Sequence, residues 1–402
     1  MKTTISSSSK SNKSSLSTSS TSSISSTLST SSTGFTRRSF IKASALTACS
    51  LCAGFMPVLG GGKQEQSAFI REARYYEKQT EKRLTCKLCP HECRVADLER
   101  GTCGVRENNG GTYYTHVYGN PCSMHIDPIE KKPLFHYFPT TQALSIGTAG
   151  CNFACKFCQN WEISQKRPEQ VQSQKVYPAE LIKLAQENKC KTVAHTYTEP
   201  VIFFEYMLDC AIEGKKRGVR NVMISNGFIQ EKPMREVCQY LGAVKIDLKA
   251  FTEKFYSTMC EGKLKPVLDT LLVLKEVGIW FELVVLVIPT LNDSQAELTG
   301  MTRWIVKELG GNVPLHFSRY YPTFMLKNIP PTPPETLHRA RRIALDNGVK
   351  FVYIGNMVSD AENTFCPACG KVLIERLRYS VDIVGMKKNT CKYCGETIPG
   401  VF

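Results

Sequence analysis

Eleven of the eighteen cysteines stand in three tight groups, and a chain that spaces its thiols this way must fold so that they meet. The groups are Cys86/Cys89/Cys93/Cys103, Cys151/Cys155/Cys158 and Cys366/Cys369/Cys391/Cys394. Cysteines two or three residues apart hold metals far more often than they pair as disulfides. In a chain of 402 residues they are not the dense staples of a small secreted scaffold. Cys122, Cys190, Cys210, Cys238 and Cys260 stand alone and read as small buried hydrophobes.

The first group places four soft sulfurs within 18 residues, which suits tetrahedral zinc or an iron–sulfur cluster. Spacing does not decide between the two, and His91 inside the loop reads as a bystander. The last group is two Cys-x-x-Cys-Gly knuckles separated by 21 residues, with a strand expected over 372–381. That is a zinc-ribbon pattern. Its four thiolates fill a tetrahedral shell, so a structural zinc is expected there, with a rubredoxin-like iron as the rival.

The middle group differs in kind. A short strand over 143–147 runs into a glycine-bearing loop and then Cys151, Cys155 and Cys158, with no fourth cysteine nearby in sequence. Three thiolates leave one iron of a [4Fe–4S] cluster without a protein ligand. An open metal position is where chemistry happens, by the logic that separates catalytic from structural zinc. A zinc knuckle borrowing a distant ligand is the alternative.

Around these loops the sequence alternates apolar strands with amphipathic helices. Strands are expected near 193–200, 221–227, 243–249, 279–288, 314–320 and 351–354, and helices near 178–189, 201–217, 231–241, 265–277, 294–309 and 335–347. Near-continuous apolar strands joined by helices indicate a parallel α/β sheet.

The spacing Cys151-x3-Cys155-x2-Cys158, with Phe157 just before the last cysteine, resembles the signature of the radical S-adenosylmethionine (SAM) superfamily. That resemblance implies a partial (β/α)6 barrel, a [4Fe–4S] cluster whose open iron chelates SAM, and reductive cleavage of SAM to a 5′-deoxyadenosyl radical. It also implies roles for residues at successive strand ends, where a barrel keeps its active site. Thr198-Glu199-Pro200 matches the loop that receives the SAM amino group, although Tyr197 and Thr198 replace its two glycines. Glu199 supplies the carboxylate an ammonium needs; a helix N-terminal carboxylate is its blander role. Ser225 and Asn226 suit ribose hydroxyls, against a plain Asn-Gly turn. Asp247 and Lys249 share one strand face, as in the pyruvate formate-lyase activating enzymes, against a simple ion pair. His316 is expected within reach of SAM or substrate, or else buried as a core residue.

Residues 85–402 as a whole resemble the AmmeMemoRadiSam system radical SAM enzymes, relatives of pyruvate formate-lyase activating enzyme. The resemblance rests on the first cysteine group, Asp127-Pro-Ile-Glu-Lys-Lys-Pro133, the Cys151–Gln165 stretch and the terminal ribbon. It implies association with Memo-like and AMMECR-like proteins, a protein substrate, and an electron donor such as ferredoxin or flavodoxin. A non-enzymatic electron-transfer or metal-binding protein is the competing class, but such a carrier needs no SAM pocket.

The expected organisation is a tail and leader over 1–64, a four-cysteine module over 65–138, the barrel over 139–358 and the ribbon over 359–402. Residues 1–33 hold 17 serines and seven threonines, too little apolar surface to offset chain entropy. Arg37-Arg38-Ser-Phe-Ile-Lys42 ahead of a short apolar run resembles a twin-arginine (Tat) export signal, and an organellar transit peptide is the competing reading. Tat export carries folded proteins, so clusters built in the cytosol would survive the journey; without it the chain stays cytoplasmic. Seven of the 51 basic side chains and none of the 36 acidic ones fall in residues 1–64. The remaining 338 residues therefore carry a surplus of only eight, a solvated surface rather than a nucleic-acid footprint. No apolar run is long enough to span a membrane.

Overall fold

Seven parallel strands, each hydrogen-bonded to the next in sequence order, form the centre of the molecule. The computed structural model describes residues 69–402, so the expectations for the tail and leader lie outside the described residues. Ahead of the sheet, six short strands make two small antiparallel layers. One joins β1 (Arg71–Glu72), β6 (Thr112–Thr115) and β5 (Arg106–Asn109), and the other joins β2 (Tyr76–Lys78), β3 (Leu84–Cys86) and β4 (Arg94–Val95). The main sheet then begins with β7 (Ser123–Pro128), which is antiparallel to β8 (Gln142–Gly147). The parallel run continues through β9 (Thr192–His195), β10 (Arg220–Ser225), β11 (Ala243–Asp247), β12 (Trp280–Val287), β13 (Leu315–Arg319) and β14 (Val352–Gly355).

Six strand–helix units thus precede a seventh parallel strand. Helices Pro178–Glu187, Phe204–Arg217, Glu231–Cys238, Leu264–Val277, Gln295–Trp304 and Pro334–Asp346 fall where the periodicity places them. Two of them stop at glycines in the left-handed region, Gly218 (φ 74°) and Gly278 (φ 68°), where a Cβ would be strained. Another starts at Ser294, whose hydroxyl accepts from the Glu297 N–H. The strands are buried on both faces, as a parallel sheet between helices requires; all of β9 and five of six residues in β10 are buried.

The small N-terminal layers are not a detached module. Leu84, Val95, Val105 and Tyr113 belong to the same apolar cluster as Ile146, Phe203 and Val244. The C-terminal ribbon makes its own cluster with the barrel: Phe135, Phe351, Tyr353, Leu373, Ile374 and Ile398 pack together. Buried Arg376 fastens it, donating from Nη2 to the Phe135 carbonyl at 2.9 Å and from Nη1 to Thr364 Oγ1 at 2.7 Å.

The stretch 372–381, expected as one strand, is a hairpin of β16 (Val372–Leu377) and β17 (Ser380–Ile383), following β15 (Thr364–Phe365). The chain reverses at Arg378 (φ 58°) and Tyr379, without the glycine or asparagine that usually signals such a turn. Two further short strands, β18 (Met386–Lys387) and β19 (Thr390–Cys391), hold the second knuckle. Among the described residues no helix is long and apolar enough to cross a membrane.

Candidate active site and metal centres

The C-terminal ends of the parallel strands open onto a cavity of about 500 Å³. Cys151, Cys155, Cys158 and Phe157 line it from the loop after β8, and Thr198 and Glu199 line it from the loop after β9. Asn226 follows β10, while Lys245, Asp247 and Lys249 come from the end of β11. The sequence-placed strand ends therefore do converge. Lys131, Lys132 and Pro133 beyond edge strand β7, Asn356 beyond edge strand β14, and Tyr379 at the ribbon hairpin complete the wall. An open sheet leaves one side bare, and these residues cover it.

The cysteine loop is braced from beneath. Its Ala154 N–H donates to the Cys260 carbonyl at 3.0 Å and its Lys156 N–H to the Met259 carbonyl at 2.9 Å. Cys260, whose carbonyl takes the Ala154 N–H, is buried and does not line the cavity. It is a fourth thiol beside the group that the sequence, read locally, could not place there. Ser164 Oγ sits 3.2 Å from Cys158 Sγ, and the Phe153 N–H donates to Cys151 Sγ at 3.4 Å. Such contacts to sulfur orient thiolates and tune what they bind. Phe157 is buried against Phe255, with ring centroids 5.7 Å apart.

Glu199 is tethered through both of its carboxylate oxygens. Its Oε1 accepts from Ser225 Oγ at 2.6 Å and from the Val201 N–H at 3.1 Å; its Oε2 accepts from the Asn226 N–H at 2.7 Å. Burial pushes its carboxyl up to about 7 despite those donors. The N-terminal capping role is thus real, but it occupies only part of one oxygen. Ser225 does not line the cavity; its hydroxyl donates to Glu199 and positions that carboxylate. Asn226 does line the cavity, yet its amide is engaged, donating from Nδ2 to Asn152 Oδ1 at 2.8 Å and accepting from the Phe228 N–H at 2.9 Å.

Asp247 is shared by two ammonium groups. Lys249 Nζ donates to its Oδ2 at 3.0 Å and Lys245 Nζ to its Oδ1. Burial alone would raise the Asp247 carboxyl, but the two lysines outweigh it and hold it at about 2. Lys245 was missed from the sequence because its neighbours Val244 and Ile246 read as plain strand core.

Tyr197 explains the departure from a glycine-containing loop. It sits at φ 64°, the left-handed region that glycine occupies freely and other residues enter at a cost of order 1 kcal/mol. Its hydroxyl donates to Asp127 Oδ2 at 2.7 Å, and Asn160 Nδ2 donates to its carbonyl at 2.6 Å. Asp127 also accepts from Lys131 at 2.7 Å and Lys132 at 2.6 Å. The Asp127–Pro133 segment is therefore part of the cavity wall. Thr198 Oγ1 donates to the Thr148 carbonyl at 2.9 Å and ties this loop to the cysteine loop.

His316 is not at the site. It lies near the start of β13, buried, with Nε2 bonded to Glu282 Oε2 at 2.8 Å and its ring stacked on Tyr353 at 4.9 Å. The same Glu282 accepts from the N–H groups of Phe135 and His136. A histidine at the beginning of a parallel strand faces the end of the barrel away from the cysteine loop, so the expected contact with SAM fails.

Cys366, Cys369, Cys391 and Cys394 bring all four sulfurs within 4.8 Å of one another, with paired Sγ atoms 3.6 and 3.8 Å apart. These are the distances at which four thiolates share one ion. Cys86, Cys89, Cys93 and Cys103 line a separate small pocket with Arg106 and Tyr113.

Residues 145–300, which carry the three thiols and the tethered carboxylate, match the Radical SAM superfamily. That superfamily uses a [4Fe–4S] cluster and SAM. The donor set fits both groups, since three sulfurs face one cavity and the remaining wall carries polar groups rather than a fourth thiol. The chain belongs to one family with the uncharacterized protein MJ0808 of Methanocaldococcus jannaschii, to which it is 43% identical over 332 residues. That match covers 82% of this chain and 99% of the relative. Among solved structures it is similar to a domain of pyruvate-formate lyase-activating enzyme from Bacteroides vulgatus (15% identity, TM-score 0.37, 41% of this chain and 98% of that one). It is also similar to a radical SAM methyltransferase from Sphaerobacter thermophilus (14% identity, TM-score 0.44, 61% and 72% covered).

Proposed function

We propose that this radical SAM enzyme acts on a protein partner, in the manner of the glycyl-radical activating enzymes. The observation that carries the reading is the composition of the cavity. When bound, the cluster and SAM supply reductive cleavage of SAM and a 5′-deoxyadenosyl radical that takes hydrogen from the substrate. The chain's own residues do the rest. Cys151, Cys155 and Cys158 offer three ligands and leave one iron free. Glu199, fixed by Ser225 and the Asn226 N–H, offers a carboxylate to the SAM ammonium. Asp247 and Lys249 border the same space with paired charges. The cavity of about 500 Å³ must hold both the cluster on its three thiols and SAM, so a substrate must be presented at its mouth. A protein segment inserting one residue past Tyr379 and Asn356 meets that requirement.

The same reading assigns structural zinc to the ribbon and a low-potential ferredoxin or flavodoxin as electron donor. Memo-like and AMMECR-like proteins are the candidate partners, and the twin-arginine segment extends the proposal to export of the folded chain. The test is anaerobic reconstitution with iron and sulfide, followed by assay for 5′-deoxyadenosine under a low-potential reductant. Formation of that product separates the enzyme from a metal-binding or electron-transfer protein; an iron-replete chain that forms none refutes the reading.

A further inference from the structure

Four lysines line the cavity, Lys131, Lys132, Lys245 and Lys249, against two carboxylates, Glu199 and Asp247. The Lys245–Asp247–Lys249 triad has a counterpart beyond edge strand β7. There Asp127 accepts from Lys131 Nζ at 2.7 Å and from Lys132 Nζ at 2.6 Å, so one carboxylate is again shared by two ammonium groups. The remaining donor to Asp127 is the Tyr197 hydroxyl, which burial keeps protonated and neutral. Each triad therefore carries one positive charge more than its aspartate answers.

The surplus beyond β7 is held at a cost. The Lys132 side chain is 3% exposed and that of Asp127 7%, while Lys131 is 46% exposed. Burial pushes the Lys132 ammonium down to about 8 in spite of Asp127, and Lys131 and Lys245 push it the same way. The face of the Tyr197 ring, 4.7 Å from Nζ, offsets part of that cost. An ammonium has three donors and Asp127 takes one from each lysine, so donors remain for a ligand. The charges acting most strongly on Lys132 are Asp127, Lys131 and Lys245, with no cysteine among them, so this surplus does not answer the thiolates. SAM does not call for it either, because its sulfonium and ammonium outnumber its single carboxylate.

From this we propose that the segment presented to the cavity carries an anionic group, a carboxylate or a phosphate, which Lys131 and Lys132 receive beside Asp127. The proposal rests on the reading that a protein segment enters past Tyr379 and Asn356, which line the same cavity as the two lysines, and it names what that segment must bring. Lys131, open to solvent, draws the group in. Lys132, out of water, makes the stronger contact, because a charge-assisted hydrogen bond gains strength in a low dielectric. A neutral segment leaves the buried surplus unanswered, so the triad selects against it. The step is binding alone, with no bond made or broken.

The test uses the full chain, reconstituted anaerobically with iron and sulfide and supplied with SAM, and titrated by calorimetry with three blocked peptides. These are acetyl-Gly-Glu-Gly-amide, its Gln counterpart and its phosphoserine counterpart. Wild type should bind an acidic peptide about 10-fold or more tightly than the Gln peptide, and the tighter of the two acidic peptides identifies the anion as carboxylate or phosphate. Lys132→Met leaves Asp127 paired with Lys131 and should reduce the acidic preference to about 2-fold or less. Lys131→Met, at an exposed position, should reduce it about 2- to 5-fold, and it decides alone if Lys132→Met does not fold. No measurable binding of either acidic peptide, or equal binding of all three, overturns the proposal. So does an acidic preference that survives in both variants, since the anion then binds elsewhere on a basic chain. Binding is read without turnover, so either result leaves SAM cleavage untouched. A chain that prefers the acidic peptide through Lys132 yet forms no 5′-deoxyadenosine refutes the proposed enzyme alone.

Discussion

Replacing Asp247 by Asn should damage the protein far more than replacing Lys245 by Met, although both changes remove one charge from the same triad. The side chains of Lys245 and Lys249 are 6% and 17% exposed, and Asp247 is their common partner at 28%. Asn leaves two buried ammonium groups without a countercharge and turns one acceptor into a donor facing an ammonium. Breaking a buried pair from one side costs about 3–5 kcal/mol, and partial exposure of Asp247 lowers this to about 2–4. Met at 245 instead leaves Asp247 and Lys249 as a balanced pair. It removes the surplus cation at similar volume, for less than about 1.5 kcal/mol. Because Asp247 lines the cavity, its loss should also weaken SAM binding by about 1–3 kcal/mol, roughly 5- to 150-fold, with iron content unchanged. Urea unfolding and anaerobic calorimetry with SAM measure the two effects. Equal destabilisation by the two variants would refute the charge argument. Unchanged SAM affinity in Asp247→Asn would make the triad structural only.

Replacing any one of Cys151, Cys155 or Cys158 by Ala should abolish SAM cleavage and remove about four irons per chain, counted by iron analysis. Glu199 has a native carboxyl raised to about 7 from an ordinary 4.5, so its native form holds the proton where the unfolded chain has lost it. Its contribution to stability is full below pH 4.5 and disappears as pH rises to 7. The stability of wild type relative to Glu199→Gln, measured without SAM, should therefore fall by up to about 3 kcal/mol across that window. A difference flat in pH would mean that the buried carboxyl is not protonated there. Cys394→Ser should release about one zinc and expose the ribbon to protease, read by metal analysis and limited digestion. Tyr379→Ala should keep the zinc but reduce turnover about 5- to 10-fold, because Tyr379 lines the cavity; unchanged turnover would return the ribbon to a purely structural role.

The parallel sheet was legible because its strands are short apolar runs separated by helices of clear 3.6-residue period. The cysteine loop was legible because thiol spacing is set by the metal and survives in sequence. What sequence could not show was commitment. Ser225 and Asn226 are the right residue types for ribose hydroxyls, yet both spend their polar atoms on Glu199, Asn152 and Phe228. Nothing local distinguishes a free hydroxyl from an engaged one. His316 misled because its place along β13, near the start rather than the end, depends on a strand boundary uncertain by a residue or two. Lys245, Cys260 and Tyr379 reach the site region from a core strand, a buried turn and an unsignalled hairpin, contacts that exist only once the chain is folded. The ribbon therefore joins the cavity wall, contrary to the wholly separate structural unit that its four filled thiolates suggest.

The central claim is that three thiolates leave an iron open for SAM. Electron paramagnetic resonance of the reduced chain with SAM labelled in its amino nitrogen and carboxylate oxygens tests it most directly. Hyperfine coupling of both labels to the cluster in wild type, lost in Cys151→Ala, is the predicted result. An iron-replete wild-type chain whose cluster signal is unchanged by SAM and shows no coupling would contradict the account.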